Sequence, residues 1–193
     1  MKRALLVILS VCLIASLAFA QGSEKLSTTS AAAVSVKRAP APVETLPEKV
    51  HPVLVVARHA DGTEFYRELT HNIRTTAGGD WQASVMGNTS APPATCNYIA
   101  VTNDASAPAA GDSSLASEIA ANGLSRAIGT YAHTAGTASY TISKTFSASG
   151  TQASQKTGLF NASGAGTMCF EASYTAVTVN NGDSLTVTWT INY

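Results

Sequence analysis

Leu185-Thr186-Val187-Thr188-Trp189-Thr190-Ile191-Asn192-Tyr193 alternates apolar and polar residues without a break. Successive side chains of an extended strand point to opposite faces, so this pattern requires a half-buried β-strand. Leu185, Val187, Trp189, Ile191 and Tyr193 share its buried face, and all but Leu185 are β-branched or aromatic types that suit a pleated surface. A strand of this kind ending the chain makes the fold an all-β problem, and it turns attention from catalysis to binding and assembly.

Upstream, the chain repeats the theme in short pieces. Val53 to His59 reads as a strand, Ala60-Asp61-Gly62-Thr63 as a tight hairpin turn, and Glu64 to Thr70 as the antiparallel return. A short helix is expected over 76–86, holding Trp81, Val85 and Met86, despite Gly78-Gly79. Asn97 to Thr102 is a strand. Ser113 to Ile119 reads as a second brief helix, with hydroxyls for capping and Leu115 and Ile119 at i and i+4 on one side. Four strands follow near 124–134, 137–148, 154–161 and 167–179, before the last one. Ala135-Gly136, Ser163-Gly164-Ala165-Gly166 and Asn180-Asn181-Gly182-Asp183 supply the turns. The expected domain, residues 53–193, is an antiparallel β-sandwich of about seven or eight strands with one or two short helices. Phe146, Phe160, Phe170, Leu185 and Trp189 are its expected core.

Residues 1–20 read as a signal peptide. Lys2 and Arg3 precede an apolar stretch from Ala4 to Leu17, and Ala18-Phe19-Ala20 supplies a small-x-small cleavage site. The apolar run is shorter than the roughly 20 residues of a spanning helix, so no membrane span is expected in the mature chain. Residues 21–52 are rich in Ser, Thr, Ala and Pro and cannot form an apolar face; they read as a disordered linker. The expected location is the periplasm, the cell surface or the extracellular space. In such a compartment Cys96 and Cys169, the two cysteines left after processing, are expected to form a disulfide. Alternation puts Met168, Phe170, Ala172 and Tyr174 inward, and Cys169 outward with Glu171 and Ser173; Cys96 also reads as outward. The pair would then staple strands outside the core.

Formal net charge is +0 and only 12% of residues are charged, which leaves no basic stripe for nucleic acid. Two cysteines and four scattered histidines have no metal-ligand spacing. Arg58-His59 at a strand end resembles the entry to a histidine phosphatase, but that chemistry also needs a second His, another Arg and an acid on a largely α/β scaffold, and the downstream chain reads as strand and turn. No Gly-x-Ser-x-Gly elbow occurs. The sequence therefore implies no catalytic residue and no cofactor, and partners that are proteins or further copies of the chain.

One resemblance adds to this. His71-Asn72-Ile73, Gly79-Asp80, Asn97-Tyr98-Ile99-Ala100-Val101, a Pro/Ala loop running into Asp112 to Ile119, Gly158-Leu159-Phe160-Asn161, and Asn181 to Ile191 occur in that order. From about residue 70 onward the chain resembles small β-sandwich structural proteins of tailed bacteriophages and prophages. The resemblance implies a tail-associated or decoration-type component that assembles by surface contacts and lacks a catalytic centre. The export signal and the cysteine pair depart from it, as would befit such a domain redeployed on a secreted or surface-displayed protein. Two other readings compete. An outer-membrane β-barrel would also close with an alternating strand ending in an aromatic residue. A carbohydrate-binding module would stack sugar rings on exposed aromatics; Trp81, Tyr98, Tyr131, Tyr140 and Trp189 are available, although alternation assigns Tyr140 and Trp189 to the core.

Overall fold

A computed structural model describes residues 51–193 apart from Thr89 and Pro92; the expected signal peptide, and all but the last two residues of the expected linker, lie outside the described residues. Among these, alternating segments form β1 (Pro52–Arg58), β2 (Glu64–His71), β3 (Ile73–Arg74), β4 (Tyr98–Thr102), β5 (Ala127–Ile128), β6 (Thr130–His133), β7 (Ser139–Ser147), β8 (Gln152–Phe160), β9 (Met168–Val179) and β10 (Ser184–Asn192). The one helix among the described residues, α1 (Thr76–Gly87), connects β3 to β4. The strands make two five-stranded antiparallel sheets, ordered β2-β1-β10-β7-β6 and β3-β9-β8-β4-β5. Ten strands form where about seven or eight were expected, because β3 is additional and the strand expected near 124–134 is divided into β5 and β6.

The terminal alternation holds from Leu185 to Ile191, whereas Tyr193, expected on the buried face, is 54% exposed. Leu185, Val187, Trp189 and Ile191 are buried, while Thr186, Thr188 and Thr190 lie half-exposed on the other face. β10 is central in its sheet, pairing Trp189 with Val53 of β1 and with Ile142 of β7. These residues meet Ile99, Val101, Leu159, Phe170, Ala172 and Val179 of the other sheet in one hydrophobic cluster. The Phe170 and Trp189 rings lie 6.3 Å apart across it. Apolar faces of two separate sheets turned toward each other give a layered all-β architecture, the inverse of a barrel with apolar residues turned outward.

Several expectations are corrected. The helix over 113–119 does not form. There the chain runs extended enough for Glu118 to bridge Thr102, and Thr102 Oγ1 donates to the carbonyls of Ala116 and Ser117 at 2.6 and 3.0 Å. Leu115 and Ile119 are both buried but join different clusters, which one helical face would not permit. The strand expected near 124–134 is broken at Gly129 into β5 and β6, which belong to opposite sheets. A Cβ at Gly129 would stand 2.5 Å from the Ile142 side chain, so glycine is what lets the chain cross there.

The remaining corrections concern the two cysteines and Met168. β9 slips register against β8 between Leu159 and Phe160, pairing Leu159 with Phe170 and Phe160 with Met168, so Cys169 is the extra residue of a bulge. The bulge breaks the alternation. Cys169 and Phe170 both enter the main core, and Met168 passes to the opposite face. Cys169 is therefore buried, not outward, and so is Cys96, which precedes β4 and escapes its alternation. The two are joined as a pair with Cα atoms 6.5 Å apart, inside the core.

Of the expected core residues, Phe146, Phe170, Leu185 and Trp189 lie in the main cluster. Phe160 is equally buried but belongs to a second cluster with Ala100, Leu115 and Met168, on the outer face of its sheet. Leu115, from the long β4–β5 connection, helps to cover that face.

Candidate functional site

The local sequence around α1 explains why a helix forms where propensity is poor. Thr75 caps it by accepting the Gly78 N–H at 2.9 Å, and its own hydroxyl donates to the Met168 carbonyl. Gly78 lies against β9, where a Cβ would fall 2.0 Å from the Cys169 carbonyl oxygen. This contact fixes the helix close to the sheet and directs Trp81, Val85 and Met86 toward the gap beside it.

Two cavities flank these side chains. One, of about 260 Å³, is lined by His51, Trp81, Met86, Tyr140, Phe170 and Tyr193 among others. The other, of about 370 Å³, is lined by Trp81, Val85, Asn97, Tyr131, Tyr140 and Ile142 among others. Trp81, Val85 and Tyr140 are common to both, so the two form one aromatic groove between α1 and the β6–β7 end of the opposite sheet. Trp81 is oriented by its indole N–H, which donates to the Ala94 carbonyl at 2.8 Å. Tyr140 stacks at an angle on Tyr131 and Tyr193, with centroids 5.5 and 6.3 Å away. At the rim, Met86 is 80% and Tyr131 60% exposed. Such a site can hold a flat ring or an apolar side chain by stacking and dispersion.

The aromatics named from the sequence thus divide. Trp81, Tyr131 and Tyr140 come together here, and Tyr140, expected in the core, is only half-buried and lines the groove. Trp189 is in the core, and Tyr98 packs on the second cluster. Met86 and Tyr193 were not singled out for binding; their exposure follows from the placement of α1 across the sandwich, which periodicity does not convey.

The polar residues that suggested chemistry have local partners. Arg58 pairs with Glu64 at 2.7 Å, while His59 stacks on Phe65 at 4.3 Å and meets Asp183 at 3.1 Å. His133 Nδ1 contacts the Ser139 carbonyl at 2.8 Å. Among the described residues no group of three His, Cys, Asp or Glu side chains converges as a metal site, and no helix is long and apolar enough to cross a membrane.

Fold and groove together define a two-sheet antiparallel β-protein with an aromatic groove beside its helix. Comparison of the chain with protein-family models, with curated proteins and with solved structures gave no match.

Proposed function

We propose that this chain is an exported, non-catalytic structural or adhesive module that acts by surface contact and assembly, as the likeness to phage virion components suggests. The observation that carries the reading is the groove of Trp81, Tyr131, Tyr140 and Tyr193 with exposed Met86 at its rim. Aromatic and methionine side chains of this kind are the enriched anchors of protein interfaces. The neighbouring edge supports it. β6 is exposed along its length and carries no Lys, Arg, Asp or Glu, whereas the edge strand β2 carries Glu64, Arg67 and Glu68. Charge on an edge discourages strand addition, so β6 is the edge of its sheet left open to a partner.

The test is light scattering of the mature chain over a range of concentrations, with Trp81→Ala and Tyr131→Ala compared. Assemblies larger than one chain that dissociate in both variants, at unchanged melting temperature, are the expected result. A single chain at every concentration would remove self-assembly.

The aromatic lining also favours a second reading, a carbohydrate-binding module. Glycan-array binding lost in Trp81→Ala would support it, and no binding to any glycan would end it.

A further inference from the structure

The outer face of the β9-β8-β4 sheet encloses an ionic group that the proposed contact function does not use. Lys156 lies on β8, and its side chain is 2% exposed. On one side its Nζ meets Asp104 Oδ2 at 2.6 Å, just beyond the end of β4; on the other it faces Glu171 Oε1 of β9 at 3.4 Å. Glu171 is equally buried, and its Oε2 accepts no hydrogen bond. Two residues along β8, Gly158 lies against Phe160 and Leu115, so the group abuts the second apolar cluster. Asp104 is held in turn by Ser106: the Ser106 N–H donates to Oδ1 at 3.3 Å, and the Ser106 hydroxyl donates to Oδ2.

A buried lysine between two carboxyls is an expensive way to stabilise a fold, because desolvation offsets much of the ion-pair attraction. The same arrangement is well suited to chemistry. An amine held at hydrogen-bond distance from a carboxyl oxygen, the one fixed on β8 and the other just past the end of the neighbouring β4, has the high effective concentration of an intramolecular reactant. We propose that Lys156 and Asp104 condense into an intramolecular amide bond, with Glu171 transferring the proton.

The atoms balance as follows. Proton transfer along the Nζ–Oδ2 hydrogen bond gives the neutral amine and acid. Nζ attacks Asp104 Cγ, and the carbonyl electron pair moves onto Oδ1, where the Ser106 N–H stabilises it. Glu171 Oε1 takes a proton from the now cationic nitrogen and returns it to the departing hydroxyl. The C–Oδ2 bond breaks, the carbonyl re-forms and one water leaves; Glu171 ends as it began, and no oxidant or reductant is needed. Burial pushes the Glu171 carboxyl up to about 7, with Asp112 adding to the shift and Lys156 opposing it, so the group can both accept and return a proton near neutrality. The ionised pair dominates beforehand, since Lys156 and Ser106 hold Asp104 down at about 2. The reaction therefore draws on the minor neutral form and occurs once per chain.

The experiment is mass spectrometry of the full chain, reduced and denatured, whole and after trypsin. The expected mass is that of the polypeptide less one water. The expected digest retains residues 145–193 uncut at Lys156 and joined to 75–126. In Glu171→Gln and Lys156→Arg the full mass should return, and circular dichroism should show both variants folded. A wild-type chain of full mass, cut normally at Lys156, would leave an ion pair only and overturn the proposal. Loss of water persisting in Lys156→Arg would place the dehydration elsewhere and also overturn it. A cross-link intact in Glu171→Gln would remove Glu171 from the reaction.

Discussion

Trp189 is the largest side chain fully enclosed between the sheets, and it touches the core from the central strand of its own sheet. Trp189→Ala should cost about 3–5 kcal/mol, the usual penalty for emptying a buried aromatic site, as read by denaturant unfolding. Its indole nitrogen accepts no compensating role, since it has no hydrogen-bond partner. Trp189→Phe should therefore be much milder. Glu171 gives a prediction of the opposite character. Burial raises its carboxyl from 4.5 to about 7, so the folded state holds the proton more tightly than the unfolded one. The resulting stability is full below the ordinary value of 4.5 and is lost as pH rises through about 7. Glu171→Gln should flatten that part of the stability profile, and an unaltered slope would show that Glu171 does not titrate there. Asp104 acts on the other side. While its carboxylate is still free, before condensation with Lys156, hydrogen bonds from Lys156 and Ser106 lower it from 3.8 to about 2, so its contribution is present above 3.8 and disappears as pH falls through about 2.

Helix α1 is positioned by tertiary contact rather than by propensity. Its apolar residues do not form a strong helical stripe, and its only buried residue is Gly78. In a free helix Gly→Ala is worth up to about 1 kcal/mol in favour of the helix. Here Gly78→Ala should have the reverse sign and cost about 1–3 kcal/mol, because the new methyl meets a backbone carbonyl that cannot move aside. Calorimetric melting of the variant checks the sign. The same contact explains what could be read in the chain and what could not. β7 and β10 were legible because their faces alternate, β1 and β4 because they are short apolar, β-branched runs, and the Asp61-Gly62 and Ala135-Gly136 turns because glycine marks them. β9 was legible as a strand, but not in its facing, since nothing in the order of residues signals that Cys169 is an extra residue opposite β8. The segment at 113–119 misled because its i,i+4 apolar pair is also compatible with an extended loop that buries Leu115 and Ile119 on different sides. The groove was half legible: its aromatics were visible, their convergence was not, because it depends on where α1 crosses the sandwich.

The Cys96–Cys169 pair links these elements into one unit. It joins the entry to β4 with β9, strands that flank β8, over a separation of 73 residues. Closing so long a loop is worth about 4 kcal/mol in the chain-entropy account. Reduction should lower the melting temperature yet leave the protein folded at room temperature, because the main cluster draws on both sheets independently of the sulfurs. Equal melting temperatures with and without reductant would argue that the bridge is absent.

That shared core also bears on how the protein comes apart. Every long strand of either sheet places buried side chains in the main cluster except the edge strand β2, whose Tyr66 packs against it, so neither sheet can shed its apolar face without exposing the other. Cooperative unfolding follows, and the two tryptophans allow it to be watched from different places. Trp189 lies in the core, while Trp81 stands at the groove on α1. In Trp189→Phe the fluorescence reports on Trp81 alone. Its denaturant transition should coincide with that of far-ultraviolet circular dichroism, which reports the sheets. Coincidence would mean that α1 and the groove are held by the sandwich itself. Loss of Trp81 fluorescence at clearly lower denaturant would mean that α1 detaches first, and the groove would then be a separately stable feature, not one fixed by the packing of the two sheets.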